Sequence, residues 1–500
     1  MAIKDSSYEG SFTIPMPKGV YQAAGDTNIS TDYAYKAENM RTERGMLATA
    51  LGTSRAFPAV GSGAPVETLE RFHRRSRPDD PDVFVAAAGG AIYTYTLGTE
   101  GWVKREEGFS SNKWSCVTYE TVEGADDNAK TVDILIMSNA ADGMVVVFGS
   151  DLRVERKALS IGDNGANVKF AVLARHAERI WGTGAAGYPD SLFYSRSYDP
   201  FDWTGNMEQP DLGGGMINQP TWDGDEFVSL KPFGGYLLAL KRNTVFEIRG
   251  TDPGSFSVTA SYGTDGPVEE RTVCVDRTGM YFLASSGLGV YDGDSLQLLS
   301  RDALYETMRL REAELDKTAT ACVCDHKYYL AFRMKDGGRE EIVENNAVIE
   351  YDTERGTFMI RTGIRVRDFF VASGKIYYTR ADSPCDVLRY NDPDAGGYAG
   401  EPMSCLWETA WLDLGKAFRK RDFVLRFTAE ADGGDQPVRF TVVTDRHEKE
   451  KVVLLQRGRR DYRVKIQNTG ARVKLRIRSN STQGWRIYGG VRVEYSVDEV

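Results

Sequence analysis

One local pattern recurs along most of this chain: a short apolar run, a Gly or polar turn, then a second apolar run that often ends in Tyr or Phe. That is how a β-hairpin is written in sequence. The pattern joins residues 83–86 to 91–95, 134–137 to 144–148, and 179–182 to 191–194. It continues with 236–240 to 245–248, 280–283 to 289–291, 328–332 to 347–351, and 369–371 to 375–378. Taking Phe84, Ile134, Ile180, Leu237, Tyr281, Tyr329 and Phe370 as markers, the steps are 50, 46, 57, 44, 48 and 41 residues. A period of that size fits four-stranded blades, each adding its own small core, so the reading is all-β: a β-propeller of six or seven blades over residues 56–400. The WD and kelch signatures are missing, and a double-layered array of β-sandwiches remains the alternative.

Two regions depart from the rhythm inside and before the repeats. Residues 301–315 place Leu304, Met308 and Leu315 at roughly helical spacing behind Ser300 or Asp302, which predicts one inserted helix. Residues 1–55 carry little periodicity and several Gly and Pro, and read as an extended N-terminal arm.

After the turn-rich stretch Asn391 to Gly397 the pattern changes to strict alternation, at Val464 to Gln467, Arg472 to Arg478 and Val491 to Tyr495. Period-two alternation describes strands with one apolar and one wet face, so residues 401–500 are expected to form a C-terminal β-sandwich. Charge divides along the same line. Residues 411–500 carry 20 Lys and Arg against 12 Asp and Glu, a net of +8; subtracting these from the whole-chain 62 and 72 leaves 42 against 60, or −18, in the first 410. Val473, Leu475 and Ile477 should face the core, while Arg472, Lys474, Arg476 and Arg478 form a basic face that is the candidate subunit contact.

Chemistry is sparse. Hydrophobic residues at 41% and charged residues at 27% suit a globular protein, not a disordered or membrane-spanning one. No apolar run reaches the length of a membrane helix and Met1 to Asp5 lacks a signal-peptide block, so synthesis in a cytosol is expected. The six scattered cysteines then read as reduced thiols, and the sequons at Asn28 and Asn480 as coincidental. Cys322, Cys324 and His326 form the one local ligand cluster; on a strand they would share a face, but no fourth ligand follows, and blade-core packing is the expectation. There is no Gly-x-Ser-x-Gly elbow, and Gly213-Gly214-Gly215 lacks the Lys and Ser or Thr of a phosphate loop. No catalytic residue, cofactor or metal is expected. Direct nucleic-acid binding by the basic strands is disfavoured because aromatic residues are not interleaved with them.

Three stretches resemble recurring segments of bacteriophage tail proteins: Arg179 to Trp203, Leu237 to Gly250, and Gly279 to Gly293. The chain resembles the tail hub or nozzle proteins of short-tailed phages, including the packaged-DNA stabilization proteins, from about residue 80 onward. The resemblance implies a virion structural protein, made in the host cytoplasm, that is not an enzyme. It implies a homo-oligomeric ring, usually a hexamer, below the portal and adaptor, in contact with the tail adaptor and other tail proteins. DNA would be retained and then conducted through the ring channel without sequence-specific binding, and nothing would insert in a membrane. The resemblance is structural and assigns no functional residues. A receptor- or glycan-binding tail module and a propeller glycosidase are the alternatives from other classes.

Overall fold

In the computed structural model seven four-stranded antiparallel blades follow one another around a ring, six as separate sheets and one as part of a nine-stranded sheet, so the chain is an all-β protein built on a β-propeller. The residues described are 10–15, 18–23, 29–43, 45–61, 63–124, 129–161, 166–205, 207–262, 265–335, 344–380, 386–414 and 419–497. Blades one to six open with strands Val66–Phe72, Ser115–Glu123, Val172–His176, Phe227–Phe233, Cys274–Asp276 and Thr320–Cys324. Each opening strand packs beside the opening strand of a neighbouring blade and so lines the axis.

The hairpin pattern was visible because the second and third strands of each blade lie between two neighbouring blades. All six residues of Val83–Ala88, Gly143–Phe148, Tyr236–Lys241 and Gly279–Ala284 are buried, so these strands read as apolar runs instead of alternating. A separate apolar cluster fills each of five wedges, and the remaining two share one large core with the sandwich: Phe84 and Phe370 lie between blades seven and one, Val85 and Leu135 between one and two, Ile136 and Phe170 between two and three. Trp181 and Leu237 join three to four, and Leu238 and Phe282 join four to five.

Blade seven explains why six and seven were both open. It has three strands of its own, Asp368–Ala372, Lys375–Thr379 and Val387–Asp392, and takes its outer strand, Gly52–Arg55, from the far end of the sequence. The marker Phe370 lies on the first strand of its blade whereas the other six lie on second strands, which is why the last step was short.

The sandwich has two sheets. One contains Met40–Glu43, Met46–Thr49, Trp485–Val497, Lys420–Ala431 and Arg460–Gly470, with Gly10–Ile14 also paired to Trp485–Val497. The other runs Lys36–Glu38, Met403–Glu408, Val473–Ser481, Gln436–Thr444, Glu448–Leu455, and it is continuous with blade six through a parallel bridge, Glu38 to Ile360. Phe427 and Phe440 stack between the sheets at 4.6 Å. Where described, the stretch 1–55 is extended chain, but it is woven in: four strands belong to the sandwich and one closes the propeller.

The helix expected over 301–315 is broken into Ser300–Ala303, Tyr305–Arg309 and a tighter turn at Ala313–Thr318. Leu304 leaves helical geometry at φ −126°, and its fully buried side chain sits in the large core that also holds Leu288 of blade five. Gln22 of the N-terminal segment fills the break, its Oε1 accepting from the Thr307 amide at 3.0 Å and hydroxyl at 2.8 Å.

Closure leaves no space where the loop after blade seven passes the sandwich: a Cβ on Gly396 would collide with the Thr482 carbonyl oxygen. Gly396→Ala should therefore lower stability by about 2 kcal/mol or more through a forced backbone shift. Urea unfolding checks this, with Gly400→Ala, where space is open but φ is +92°, as the control for backbone strain alone.

Candidate functional site

Strands lining a propeller axis turn alternate side chains into a shared channel, so this is where blades can assemble a site. Here the channel holds charged groups from across the ring. Arg271, from the turn before blade five, donates to the Glu67 carbonyl of blade one at 2.7 Å and lies 3.5 Å from Asp368 of blade seven. Asp368 also accepts from Thr320 of blade six at 2.9 Å. Arg367 pairs with Glu67 at 2.6 Å, and Lys231 of blade four with Glu270 at 2.6 Å. Burial works against the Lys231 charge, but Glu270 outweighs it and the ammonium pKa is raised. The Arg271 contacts reach blades one and seven across the channel, while Arg367–Glu67 and Lys231–Glu270 join adjacent blades.

Glu70 is the exception in this network. Enclosure in the channel, then the negative charge of Asp368, push its carboxyl up to about 7, against the pull of the Arg71 amide and Lys231. Burial favours the protonated form of the thiols nearby, raising Cys116 and Cys322 well above the ordinary range and Cys274 to about 12. The five described cysteines are free; Cys385 lies outside the described residues. Among the described residues no group of His, Cys, Asp and Glu could hold a metal ion. Cys322 and Cys324 are core residues, but His326 does not share their strand face. It occupies the following tight turn, where its φ is 56° and its ring lies 2.9 Å from Arg277.

The four basic residues expected to form a wet face do alternate with buried Val473, Leu475 and Ile477. Only Arg472 and Arg478 are exposed. Lys474 is 7% exposed, covered by Trp411 and Tyr35 with their ring centres 4.8 and 5.1 Å from its ammonium, and 3.7 Å from Glu408. Arg476 bridges the same Glu408 and Glu448, the latter at 3.0 Å. The wet part of the expected basic face is therefore Arg472 and Arg478, while Lys474 and Arg476 are engaged by Glu408. Their covering residues come from Tyr35 and Glu408, far away in sequence, and strand alternation carries no sign of them.

The richer basic surface is on the opposite sheet and was missed. Arg426 stands directly across from Arg463 on one neighbouring strand and Arg492 on the other, all three exposed. The available signal was alternation in Val464 to Gln467 and Val491 to Tyr495; what no sequence pattern contains is the register that aligns them.

Two outcomes follow. Lys474→Glu should cost about 3 kcal/mol or more, because it sets a second carboxylate beside buried Glu408, whereas Arg478→Glu should stay within about 0.5 kcal/mol; denaturant unfolding separates them. Glu70 has a folded pKa above its ordinary 4.5, so its contribution to stability is full below pH 4.5 and is lost as pH rises through about 7. Glu70→Gln should leave the unfolding free energy unchanged at pH 5 and raise it at pH 8, by on the order of 1 kcal/mol after allowing for solvent in the channel, as read by denaturant unfolding at the two pH values.

No protein-family model matches the sequence, and no curated protein does. Solved structures match only at low identity and low structural similarity. A computationally designed protein, Ika8, covers 76% of this chain and 99% of its own at 11% identity and a TM-score of 0.39. A chain of the mitotic checkpoint complex covers 69% and 96% at 10% identity and 0.38. The WD40 domain of Pan2 from Neurospora crassa covers 78% and 97% at 9% identity and 0.28. The propeller itself is read from the chain's own seven blades and their closure by Gly52–Arg55.

Proposed function

We propose that this chain is a virion structural protein, a subunit of the tail hub or nozzle ring of a short-tailed phage, which retains packaged DNA and forms the channel for its ejection. The observation that carries the reading is the rigid fusion of propeller and sandwich: one nine-stranded sheet runs from blade six into the sandwich, and the N-terminal segment is stitched through both. A ring that holds DNA under pressure needs subunits whose modules do not hinge.

The stretches that resemble phage tail segments have structural duties that suit this role. Arg179, fully buried, donates to the carbonyls of Ser195 at 2.8 Å and Gly213 at 2.6 Å and so anchors the loop between them. Trp203 in that loop stacks on Phe170 at 4.8 Å. These are scaffold contacts, and the reading assigns the chain no catalytic step. Because Arg271 and its partners bridge the propeller axis, the DNA path on this reading runs between subunits, bounded by their acidic outer surfaces, where weak phosphate affinity limits friction.

The test is the assembly state of the purified full chain, by native mass spectrometry and electron microscopy across concentration and salt, with immunolabelling of intact particles. A closed ring, hexameric by resemblance, and label at the tail neck are expected. A strict monomer that binds saccharide, with label on peripheral fibres, would overturn the proposal in favour of a receptor-binding module.

A further inference from the structure

The row of Arg463, Arg426 and Arg492 is a costly arrangement for an isolated subunit, because like charges directly opposite on neighbouring strands repel. Glu494 offsets part of this, accepting from Arg426 at 2.9 and 3.0 Å and lying 3.5 Å from Arg492. The row lines an open groove of about 620 Å³, with Arg459 at its rim seated 4.5 Å over the Tyr488 ring. Thr13 stands across from Arg492 at the groove's far side.

A second feature has the complementary character. On the propeller, the turn Thr221 to Glu226 carries Trp222 at 91% exposure, with Asp223, Asp225 and Glu226 beside it. This turn is built to hold its shape. Gly224 adopts φ +67°, and its amide donates to the Thr221 carbonyl at 3.1 Å. Asn243 donates to Asp225 from its backbone at 2.9 Å and to Asp223 from its side chain at 3.0 Å. Beneath the turn, the fully buried Lys241 ammonium donates to the Gln219 carbonyl at 3.1 Å and the Thr221 hydroxyl at 3.3 Å, and pairs with Asp190. An aromatic side chain held out in solvent by a rigid acidic turn is what a pre-organised interface anchor requires.

We propose that these are the two halves of a head-to-tail contact between copies of this chain: the arginine groove of one copy's sandwich receives the Trp222 turn of the next copy's propeller. The inference rests on the ring reading above and supplies its interface. Contacts between two different patches generate a ring when the rotation closes. The acidic turn supplies carboxylates that the arginine forks can engage in pairs, and Trp222 supplies apolar area that water would otherwise cover. A nucleic acid is the less suited occupant: Asp461 interrupts the positive surface, Tyr488 is covered by Arg459, and Tyr462 is stacked on Phe427 at 5.5 Å.

Two charge-reversed chains test it, Arg463→Glu with Arg492→Glu, and Asp223→Lys with Glu226→Lys. Native mass spectrometry and light scattering at low and high salt report assembly, and circular dichroism and melting temperature report folding. Each variant alone should remain folded and assemble at least about tenfold more weakly than the parent. Mixed in equal amounts they should recover rings, since an alternating ring pairs reversed groove with reversed turn and native turn with native groove. Recovery on mixing cannot come from a misfolded chain. If the parent forms rings and both variants do so equally well, the contact is wrong and the ring reading stands; if the parent never assembles, the ring reading falls first. A labelled single-stranded DNA bound at physiological salt by the parent, lost in the groove variant while its rings persist, would assign the groove to nucleic acid and overturn the proposal.

Discussion

The pairing of Gly52–Arg55 with Val387–Asp392 decides whether this chain has a propeller at all, because seven blades in a ring leave no blade stable with one side unfilled. The closing strand is tied by more than its ladder. Thr53 donates its amide to the Gly397 carbonyl at 2.9 Å and shares a hydrogen bond with the Tyr378 hydroxyl at 3.1 Å. Next to it Arg361, almost fully buried, donates to the Leu51 carbonyl at 2.7 Å and to Glu350 at 2.8 Å, and also reaches Asn391. A buried ion pair of this kind adds little net stability, since desolvation offsets the attraction, but breaking it would leave a charge stranded. Arg361 thereby fixes which strand may close blade seven and in which register. The contact joins residues more than 300 positions apart, so closure is expected late in folding, after the blades supply its surface.

Charge placement shows the same preference for local cancellation over exposed potential. The excess of positive residues at the C-terminal end suggested a basic face, yet Glu408 engages both Lys474 and Arg476, and Glu448 also engages Arg476. Similarly, in the propeller channel Glu67, Glu270 and Asp368 each meet a cation from another part of the ring. Where like charges face one another, at Glu70 beside Asp368 and at Arg426 between Arg463 and Arg492, the surrounding structure tolerates a cost that local rearrangement could have avoided. Such places are where a fold gives up stability for something else.

The blades were legible because their middle strands are buried on both faces and short enough to be bounded by turns, so Val83 to Ala88 or Gly279 to Ala284 needed no knowledge of partners. Lys36–Glu38 and Gly52–Arg55 were not legible: three or four residues carry no periodicity, and what makes them strands is a partner hundreds of residues away. The helix at 301–315 was legible only in part: the helical spacing of Leu304 and Met308 was real, but Leu304, buried in the large core, leaves helical geometry. On Val473–Ser481 alternation correctly sorted inward from outward residues. It could not show that Tyr35 and Trp411 cover Lys474, nor that register stacks Arg426 between two further arginines.

Residues 36–55 deserve to be regarded as the joint of the molecule. Within twenty positions the chain bridges blade six at Glu38, supplies two strands to the first sandwich sheet, and then closes blade seven. Asn39, in left-handed geometry at φ 57°, turns the chain between these tasks, and its side chain donates to the carbonyls of Thr362 at 3.0 Å and Ser404 at 2.7 Å, one in each module. A load applied to the sandwich is therefore passed to the propeller through sheet hydrogen bonds and buried side chains, with no flexible linker in series. For a subunit whose two modules would touch different neighbours, that stiffness couples the contacts: a displacement at the sandwich must appear at the blades, and neither contact can relax alone.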